Sequence, residues 1–458
     1  MALIKSISGI RGTIGGRPGS TLSPLDIVKF TAAYGSILSR KGHATVVVGR
    51  DGRMSGPMVR DLVVSTLNAL GIDVIDLGLS TTPTVEWAVK AEGAAGGIIL
   101  TASHNPKEWN ALKLLNEEGE FISAEVGEQV LLLAEKEDFQ FATVEKLGSV
   151  KKDASYLQKH IDAVVKYPLV NANEIRNQEY RIVVDAINST GAMYVPALLN
   201  ALGVAEVIVL NGDVDGKFAH NPEPLPQHLA QLSSEVVKHN AHMGIAVDPD
   251  VDRLCFVCED GSMFGEEYTL VAIADYVLSG KPGNTVSNMS STKALKEITI
   301  KHGGEYFPSA VGEVNVVKKM KEVKAVIGGE GNGGIIVPDF HYGRDALIGI
   351  GLFLTHLANY KKSIKSLRST YPDYFISKNK IELENGYDVK EIFEKIRKKY
   401  KNHPVNTEDG LKIEFDSDWV HLRTSNTEPI IRIYSESDFE TKANNIALRL
   451  MQDIREFM

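Results

Sequence analysis

The chain has 458 residues, of which 43% are hydrophobic and 24% charged, and its formal net charge is −9. This length exceeds one ordinary hydrophobic core, so we expect several domains of a soluble globular protein. The negative charge disfavours nucleic acid as the main partner, because a phosphate backbone requires a basic surface. The sequence has no apolar run long enough to span a bilayer and no signal-peptide pattern, so we expect a cytoplasmic protein without a membrane partner.

One pattern occurs three times along the chain: strand, polar turn, helix, glycine, strand, and then a further strand that ends in an unusual loop. The three repeats begin at "HATVVVGRDGRMSG", "EYRIVVDAINSTG" and "GNTVSNMSST". This alternation predicts parallel α/β units. The loops that end the repeats are "TASHNP", "DPDVDR" and "GGEGNGG". Ligands of open α/β sheets bind beyond the carboxyl ends of the strands, so we expect the three loops to meet in one cleft.

Changes in this pattern predict four domains. We place them at residues 1–153, 154–257, 258–369 and 370–458. The first three are predicted to be similar mixed-sheet α/β domains. The last has alternating strands and a terminal amphipathic helix, which predict a smaller C-terminal α+β domain.

Two cysteines, Cys255 and Cys258, have the CxxC spacing of some zinc and redox sites. The surrounding "RLCFVCEDG" predicts a strand, in which residues i and i+3 face opposite sides. The chain has no second cysteine pair to complete a zinc site. We therefore expect two reduced, buried thiols.

The loop "DPDVDR" places Asp248, Asp250 and Asp252 directly after an apolar strand. Three carboxylates so close repel one another unless a cation lies among them, and hard oxygen ligands favour Mg²⁺ or Ca²⁺. An acidic surface turn is the alternative. The adjacent Arg253 is expected to pair with a phosphate or to brace the carboxylates.

The loop "GGEGNGG", residues 328–334, contains the GxGxxG spacing of dinucleotide-binding sites. The "IIVPDF" that follows predicts an extended segment rather than a helix, which disfavours that interpretation. We interpret the loop as presenting Glu330 and Asn332 to a polyol, and a plain flexible turn is the alternative.

Basic residues gather in two other places. The segment "RTSNTEPIIR" combines guanidinium, hydroxyl and amide donors that suit a phosphate dianion, with an ordinary polar turn as the alternative. Its candidate ligands are Arg423, Ser425, Asn426, Thr427 and Arg432. Near the start of the chain, Arg11 would bring positive charge to a phosphate-handling cleft. The "GRDGR" group of Arg50, Asp51 and Arg53 is equally compatible with a structural ion pair.

The loop "TASHNP" contains adjacent Ser103 and His104, which look like a hydrolase fragment. The GxSxG motif is missing, however, and His104 cannot easily turn back onto its own neighbour as a triad base. An acidic metal loop and a phosphate loop favour phosphoryl transfer instead, with Ser103 as the carrier. Lys113 lies just downstream and is a candidate to act as an acid or base or to hold the transferring oxygens.

The motifs "TASHNP", "DPDVDR", "GGEGNGG" and "RTSNTEP" follow one another in this order along the chain, with "SGIRG" near its start. Together they resemble the motifs of the α-D-phosphohexomutases, namely phosphoglucomutases, phosphomannomutases and phosphoglucosamine mutases. The resemblance covers essentially the whole chain. It implies a heart-shaped molecule with a central cleft, over which the fourth domain closes. It implies that Ser103 is a phosphoserine. It also implies that Mg²⁺ is bound by Asp248, Asp250 and Asp252 together with one oxygen of that phosphoserine. Glu330 would contact sugar hydroxyls, and the "RTSNTEP" loop would hold the phosphate that is not transferred.

The same resemblance implies a reaction. Phospho-Ser103 would phosphorylate a sugar monophosphate, and the bisphosphate would turn around and return its other phosphate, so that phosphate moves between O6 and O1. A hexose 1,6-bisphosphate would prime the serine. Lys113, His104 and Arg11 are the acid–base candidates, and we favour Lys113. We expect a monomer or homodimer.

The sequence departs from the family pattern at the sugar loop. Many members have Ser and His where this chain has Asn332 and Gly334, which makes it more similar to the archaeal-type phosphoglucosamine and broad phosphohexomutase branch. Glu313 stands where phosphomannomutase/phosphoglucomutase members tend to have a basic residue, and it would favour a protonated 2-amino sugar. We therefore expect glucosamine phosphate ahead of glucose and mannose phosphates. The rival interpretations are a metal-dependent sugar phosphatase and a non-catalytic sugar-phosphate sensor.

Overall fold

The computed structural model describes residues 3–6, 9–40, 42, 44–383, 387–424 and 430–458. These residues form four β-sheets with helices packed against them. None of the helices in this part of the chain is long and apolar enough to cross a membrane.

The first sheet has seven strands. They are β1 (Leu3–Ser6), β2 (Gly9–Thr13), β3 (Thr45–Arg50), β4 (Asp73–Leu79), β5 (Gly96–Leu100), β6 (Trp109–Leu115) and β7 (Val150–Lys152). The accompanying helices are α1 (Pro24–Ser39), α2 (Gly56–Ala69), α3 (Thr82–Ala91) and α4 (Ala124–Lys136). Strand β5, of sequence GGIIL, is buried at every position, as expected for a central strand covered on both faces.

The second and third sheets have four strands each. The second contains β8 (Arg181–Asp185), β9 (Glu206–Leu210), β10 (Met243–Val247) and β11 (Leu254–Cys258), and the third contains β12 (Thr285–Asn288), β13 (Tyr306–Ser309), β14 (Ile327–Glu330) and β15 (Gly334–Ile336). The helices of this part are α5 (Tyr156–Lys166), α6 (Ala172–Arg176), α7 (Gly191–Leu202), α8 (Ala230–Lys238), α9 (Glu266–Gly280), α10 (Ala294–Lys301), α11 (Glu313–Val323), α12 (Ala346–Tyr360) and α13 (Ile364–Arg368).

The threefold repeat predicted from the sequence is confirmed by the strand order. The sheets contain the orders β6-β5-β3-β4, β11-β10-β8-β9 and β15-β14-β12-β13, so equivalent strands take equivalent places. In each sheet the first strand of the repeat pairs in parallel with the second and the third. The third strand then pairs antiparallel with the strand that follows it. The three unusual loops are the connections of these antiparallel pairs.

The fourth sheet is entirely antiparallel, as predicted for a smaller C-terminal α+β domain. Its strands, in the spatial order β16-β20-β19-β18-β17, are β16 (Phe375–Glu382), β17 (Val405–Asn406), β18 (Leu411–Glu414), β19 (Trp419–Thr424) and β20 (Ile430–Ser437). Its helices are α14 (Val389–Lys399) and α15 (Glu440–Phe457). A separate hydrophobic core lies between this sheet and its helices.

The second and third sheets share one hydrophobic core, in which the rings of Phe256 and Phe353 stack with their centroids 3.8 Å apart. Cys258 belongs to this core, whereas Cys255 belongs to the cluster on the other face of the second sheet. The prediction that the two thiols are buried on opposite faces of a strand is therefore confirmed.

Candidate functional site

The loops that follow β5, β10 and β14 lie next to one another, as the sequence predicts. The Ser103 hydroxyl in the first loop donates to Asp248 Oδ2 in the second at 2.7 Å. The second and third loops are joined by Arg344, which donates to both Asp252 and Glu330. Equivalent strand ends of three repeated units have thus brought their polar loops into one cluster.

Ser103 is held in a conformation that few side chains adopt. Its φ is 48°, in the left-handed region, and the residue is 6% exposed. The backbone N–H of Ser103 donates to Thr101 Oγ1 at 2.9 Å, and the Thr101 hydroxyl donates to Asp51 Oδ2 at 2.6 Å. Backbone strain of this kind persists only where the surroundings over-determine it, and here it aims the hydroxyl at the carboxylate loop.

Arg53 fixes the backbone of the Ser103 loop. Its side chain is completely buried and pairs with Asp51, with 3.1 Å between Nε and Oδ2. The two terminal nitrogens donate at 2.6, 2.6, 2.7 and 2.9 Å to the carbonyl oxygens of Ser103, Asn105, Pro106 and Trp109. The structural interpretation of the "GRDGR" group therefore holds for Asp51 and Arg53, and the structure they brace is the serine loop itself.

The three aspartates form a buried cluster. Asp248, Asp250 and Asp252 are 0% exposed, and one oxygen of each lies within 4.8 Å of the others. Burial and mutual repulsion raise the pKa of Asp248 well above its usual range. Within the described residues, no group donates a hydrogen bond to Oδ1 of Asp250 or of Asp252. Oxygen ligands with uncompensated lone pairs fit a hard divalent cation such as Mg²⁺.

Lys113 is the basic residue that contacts this cluster from β6. Its Nζ lies 2.6 Å from Asp250 Oδ2 and 3.3 Å from Asp252 Oδ2. Burial alone would lower the pKa of Lys113, but the two carboxylates raise it. The Thr82 hydroxyl also donates to Asp250 Oδ2 at 2.6 Å. One oxygen of Asp250 is therefore satisfied by the protein, while the other is left for a ligand.

His104, Arg253 and Arg11 lie close to the Ser103 loop. Arg253 donates to His104 Nδ1 at 2.8 Å and pairs with Glu223 at 2.9 Å. Burial lowers the pKa of His104, and Arg253 and Arg11 lower it further, so the imidazole is neutral. A role of His104 as a triad base for its neighbour, which the sequence already disfavours, is disfavoured by geometry as well, since Nδ1 accepts from Arg253.

The sugar-loop residue Glu330 is held at the end of β14. Its Oε1 accepts from Asn288 Nδ2 at 2.8 Å and from Gly312 N at 3.0 Å. Its Oε2 accepts from Arg344 Nη1 at 3.0 Å and, more distantly, from Asn332 Nδ2 at 3.5 Å. Burial would raise the pKa of Glu330, but Arg344 lowers it, so the side chain is a carboxylate.

Two groups in this cluster were missed by the sequence reasoning. Arg344 follows β15 in a segment with no recognisable motif, and it pairs with three carboxylates. Glu86 on α3 is 1% exposed, and no described residue donates a hydrogen bond to its carboxylate. Burial and the neighbouring Glu313 raise the pKa of Glu86. Arg344 is recognised by its ion pairs with residues that are distant in the sequence, and Glu86 is recognised by its burial. A single sequence shows neither.

The segment "RTSNTEPIIR", which is predicted to bind a phosphate dianion, is only partly described. Ser425, Asn426 and Thr427 lie outside the described residues. Arg423 and Arg432 stand directly opposite each other on β19 and β20, so their side chains project from the same face of the sheet. Two like charges so placed repel each other, although Asp409 lies 3.1 Å from Arg423 Nε.

Comparison with known families gives matches to four consecutive domain models. They are described as phosphoglucomutase/phosphomannomutase alpha/beta/alpha domains I, II and III and the C-terminal domain. The matched residues are 3–141, 158–261, 265–374 and 380–452.

Individual proteins match over their whole lengths. A phosphoglucomutase/phosphomannomutase of Thermococcus kodakarensis is 35% identical, over 96% of this chain and 98% of that one. A phosphoglucosamine/phosphogalactosamine mutase of Sulfurisphaera tokodaii is 31% identical, over 98% of both chains. Among solved structures, a phosphoglucomutase/phosphomannomutase family protein from Burkholderia thailandensis has a TM-score of 0.86 at 26% identity, covering 100% of this chain and 98% of that one.

Replacing Arg53 with lysine tests the bracing of the serine loop. Lysine keeps the charge but cannot reach four carbonyl oxygens, and each buried acceptor left unsatisfied costs about 1–3 kcal/mol. We expect Arg53→Lys to lower the free energy of unfolding by about 3 kcal/mol in urea denaturation. Arg397→Lys, at a residue 54% exposed, is the matched control and should stay within about 0.5 kcal/mol of wild type. Equal losses in the two variants would contradict the bracing role.

Proposed function

The chain belongs to the phosphoglucomutase/phosphomannomutase family and is a phosphohexomutase, and we propose that Ser103 carries the phosphoryl group in its reaction. The observation that best supports this role is the 2.7 Å contact between Ser103 Oγ and Asp248 Oδ2. It places a reactive hydroxyl, in a strained turn, at the edge of a carboxylate cluster suited to a cation.

The proposed reaction has two half-reactions. In the first, the bond between phosphorus and Ser103 Oγ breaks and a bond forms to the free hydroxyl oxygen of a hexose monophosphate, whose proton leaves to a base. The resulting hexose 1,6-bisphosphate turns around, and its other phosphoryl group returns to Ser103. The substrate phosphate has then moved between O6 and O1. The same bisphosphate would prime an unphosphorylated enzyme. Positioning and charge neutralisation carry such transfers.

The carboxylate cluster would hold Mg²⁺ through Asp248, Asp250 and Asp252. When bound, this ion supplies positive charge beside the phosphoryl oxygens. The chain's own basic side chains contribute positive charge as well. Lys113 faces the cluster from β6, and Arg253 faces Ser103's neighbour His104. These fixed charges are arranged before the substrate arrives, which limits the reorganisation needed during transfer.

Of the predicted acid–base candidates, two lie close to the serine loop. His104 Nδ1 is 3.4 Å from Ser103 Oγ, and Arg11 Nη1 is 3.4 Å from Asn105 Oδ1. Lys113 lies 2.6 Å from Asp250 Oδ2 and is the candidate that we favour for exchanging a proton with the sugar hydroxyl. Arg423 and Arg432, with Ser425, Asn426 and Thr427, would bind the phosphate that is not being transferred.

Burial of the site limits the access of bulk water to Ser103. Ser103 is 6% exposed and the three aspartates are completely buried. Water is therefore largely excluded from the phosphoserine, whose hydrolysis would leave the enzyme inactive. A phosphatase acting through the same serine would release inorganic phosphate without forming a bisphosphate.

For the sugar, we propose glucosamine phosphate ahead of glucose and mannose phosphates. The sugar side of the site is lined by carboxylates, because Glu313 and Glu330 both lie beside Arg344. Asn332 extends the polar surface of the same loop. One guanidinium group does not neutralise this many acidic groups, so a sugar that carries its own ammonium group is favoured electrostatically. A relative named for phosphoglucosamine supports the assignment.

The role of Ser103 is tested by intact-protein mass spectrometry after incubation with glucose 1,6-bisphosphate. We expect wild type to gain the mass of one phosphoryl group and Ser103→Ala to gain none, because the acceptor oxygen is removed. Ser65→Ala, at an exposed serine on α2, is the control and should behave as wild type. An equal gain in Ser103→Ala would transfer the role to another residue.

Metal binding is measured on EDTA-treated protein by calorimetric titration with Mg²⁺. Asp250→Asn removes a charged ligand from the cluster, so we expect binding to weaken by about ten-fold or more. Asp416→Asn, at an exposed aspartate in the C-terminal sheet domain, should leave binding unchanged. Identical titrations for wild type and Asp250→Asn would place the metal elsewhere.

Sugar preference is tested by kcat/KM on glucosamine 1-phosphate, glucose 1-phosphate and mannose 1-phosphate. We expect the highest value for glucosamine 1-phosphate, because its ammonium group meets an acidic surface. A preference of about ten-fold or more for glucose 1-phosphate would refute the amino-sugar proposal while leaving the mutase reaction intact.

A further inference from the structure

Arg344 bridges the metal side and the sugar side of the site. Its side chain is 9% exposed, and each of its three guanidinium nitrogens contacts a different carboxylate. Nη2 lies 2.7 Å from Asp252, Nε lies 2.9 Å from Glu313, and Nη1 lies 3.0 Å from Glu330. A planar fork of donors can make three such contacts at once, whereas a lysine ammonium offers one nitrogen.

The path of this side chain depends on Gly334. A Cβ atom added at Gly334 would lie 2.3 Å from Arg344 Cδ and 3.1 Å from Cγ. Gly334 stands at the start of β15, opposite Glu330 in the antiparallel register. The stem of Arg344 therefore fills the space that a side chain at position 334 would take, directly beside the sugar-binding carboxylate.

Arg344 also supplies the positive charge that pairs with the carboxylates on the sugar side of the site. Among the described residues, the ion pairs of Glu313 and of Glu330 are with Arg344 alone. The guanidinium holds Glu330 by one oxygen, while Asn288 and Gly312 hold the other. Loss of Arg344 would leave two buried carboxylates uncompensated and release one anchor of Glu330, which is costly in a site shielded from water.

We propose that Arg344 is a positioning residue that sets sugar specificity, because it orients Glu330 and offsets the acidic surface so that a neutral sugar can also bind. The proposal rests on the mutase function and on a sugar that lies beside Glu330. A substrate with an ammonium group would supply part of the missing charge itself. Removing Arg344 should therefore harm a neutral sugar more than an amino sugar.

The test compares KM and kcat for glucose 1-phosphate and glucosamine 1-phosphate. For Arg344→Met we expect the ratio of kcat/KM, glucosamine over glucose, to rise by about ten-fold, mainly through KM for glucose 1-phosphate. Arg344→Lys keeps the charge but not the three contacts, so both sugars should lose efficiency together. Arg60→Met is the matched control, because the ion pairs of Arg60 among the described residues are with Asp61 and Asp76, neither of which belongs to the site.

Gly334→Ala provides a second route that leaves Arg344 in the chain. Its methyl group displaces the Arg344 stem, so we expect the same change in sugar ratio as in Arg344→Met and no further change in the double variant. An unchanged ratio in both single variants, or fully additive effects in the double variant, would overturn the proposal. A wild type that converts none of glucosamine 1-phosphate, glucose 1-phosphate and mannose 1-phosphate would instead refute the mutase function on which it rests.

Discussion

Three buried aspartates within 4.8 Å of one another are the constraint on which the site depends. Carboxylates that lie this close together and are shielded from water remain ionised only if positive charge surrounds them. The protein supplies part of it, through Lys113 from the first sheet and Arg344 from the segment after the third. Among the described residues, no group donates a hydrogen bond to Oδ1 of Asp250 or of Asp252, so the protein's own positive charge leaves these two atoms uncompensated. This remaining deficit of positive charge is the reason why we propose the cluster as a site for a cation beside the phosphoryl group.

The threefold repeat explains how such a cluster is assembled. Each unit ends its third strand at the same edge of its sheet and turns into an antiparallel partner, so each contributes one loop at an equivalent place. In the proposed function, the first loop supplies the nucleophile Ser103, the second supplies carboxylates, and the third supplies Glu330 to bind the sugar. Because the contacts between loops cross from unit to unit, as between Ser103 and Asp248, the chemistry exists only when the units are packed together.

The sequence alone predicted the repeats and a smaller C-terminal α+β domain, because strand periodicity and turn composition are local signals. It predicted the meeting of the loops from their equivalent places at the ends of the strands. It left the role of Arg53 open, since a charge pair in a turn has the same pattern whether it faces a ligand or four carbonyl oxygens. It missed Arg344, whose partners are 14, 31 and 92 residues away. Pairings at such separations depend on tertiary packing, and only the packed structure reveals them.

The central claim is that the phosphoryl group on Ser103 passes to a sugar and not to water. A single-turnover experiment with enzyme phosphorylated beforehand and in excess over glucosamine 6-phosphate tests it most directly. We expect each phosphoryl group lost from the protein to be matched by one molecule of hexosamine 1,6-bisphosphate, and each molecule of hexosamine 1-phosphate to appear with the phosphoserine regenerated. Stoichiometric release of inorganic phosphate, without bisphosphate, would contradict it.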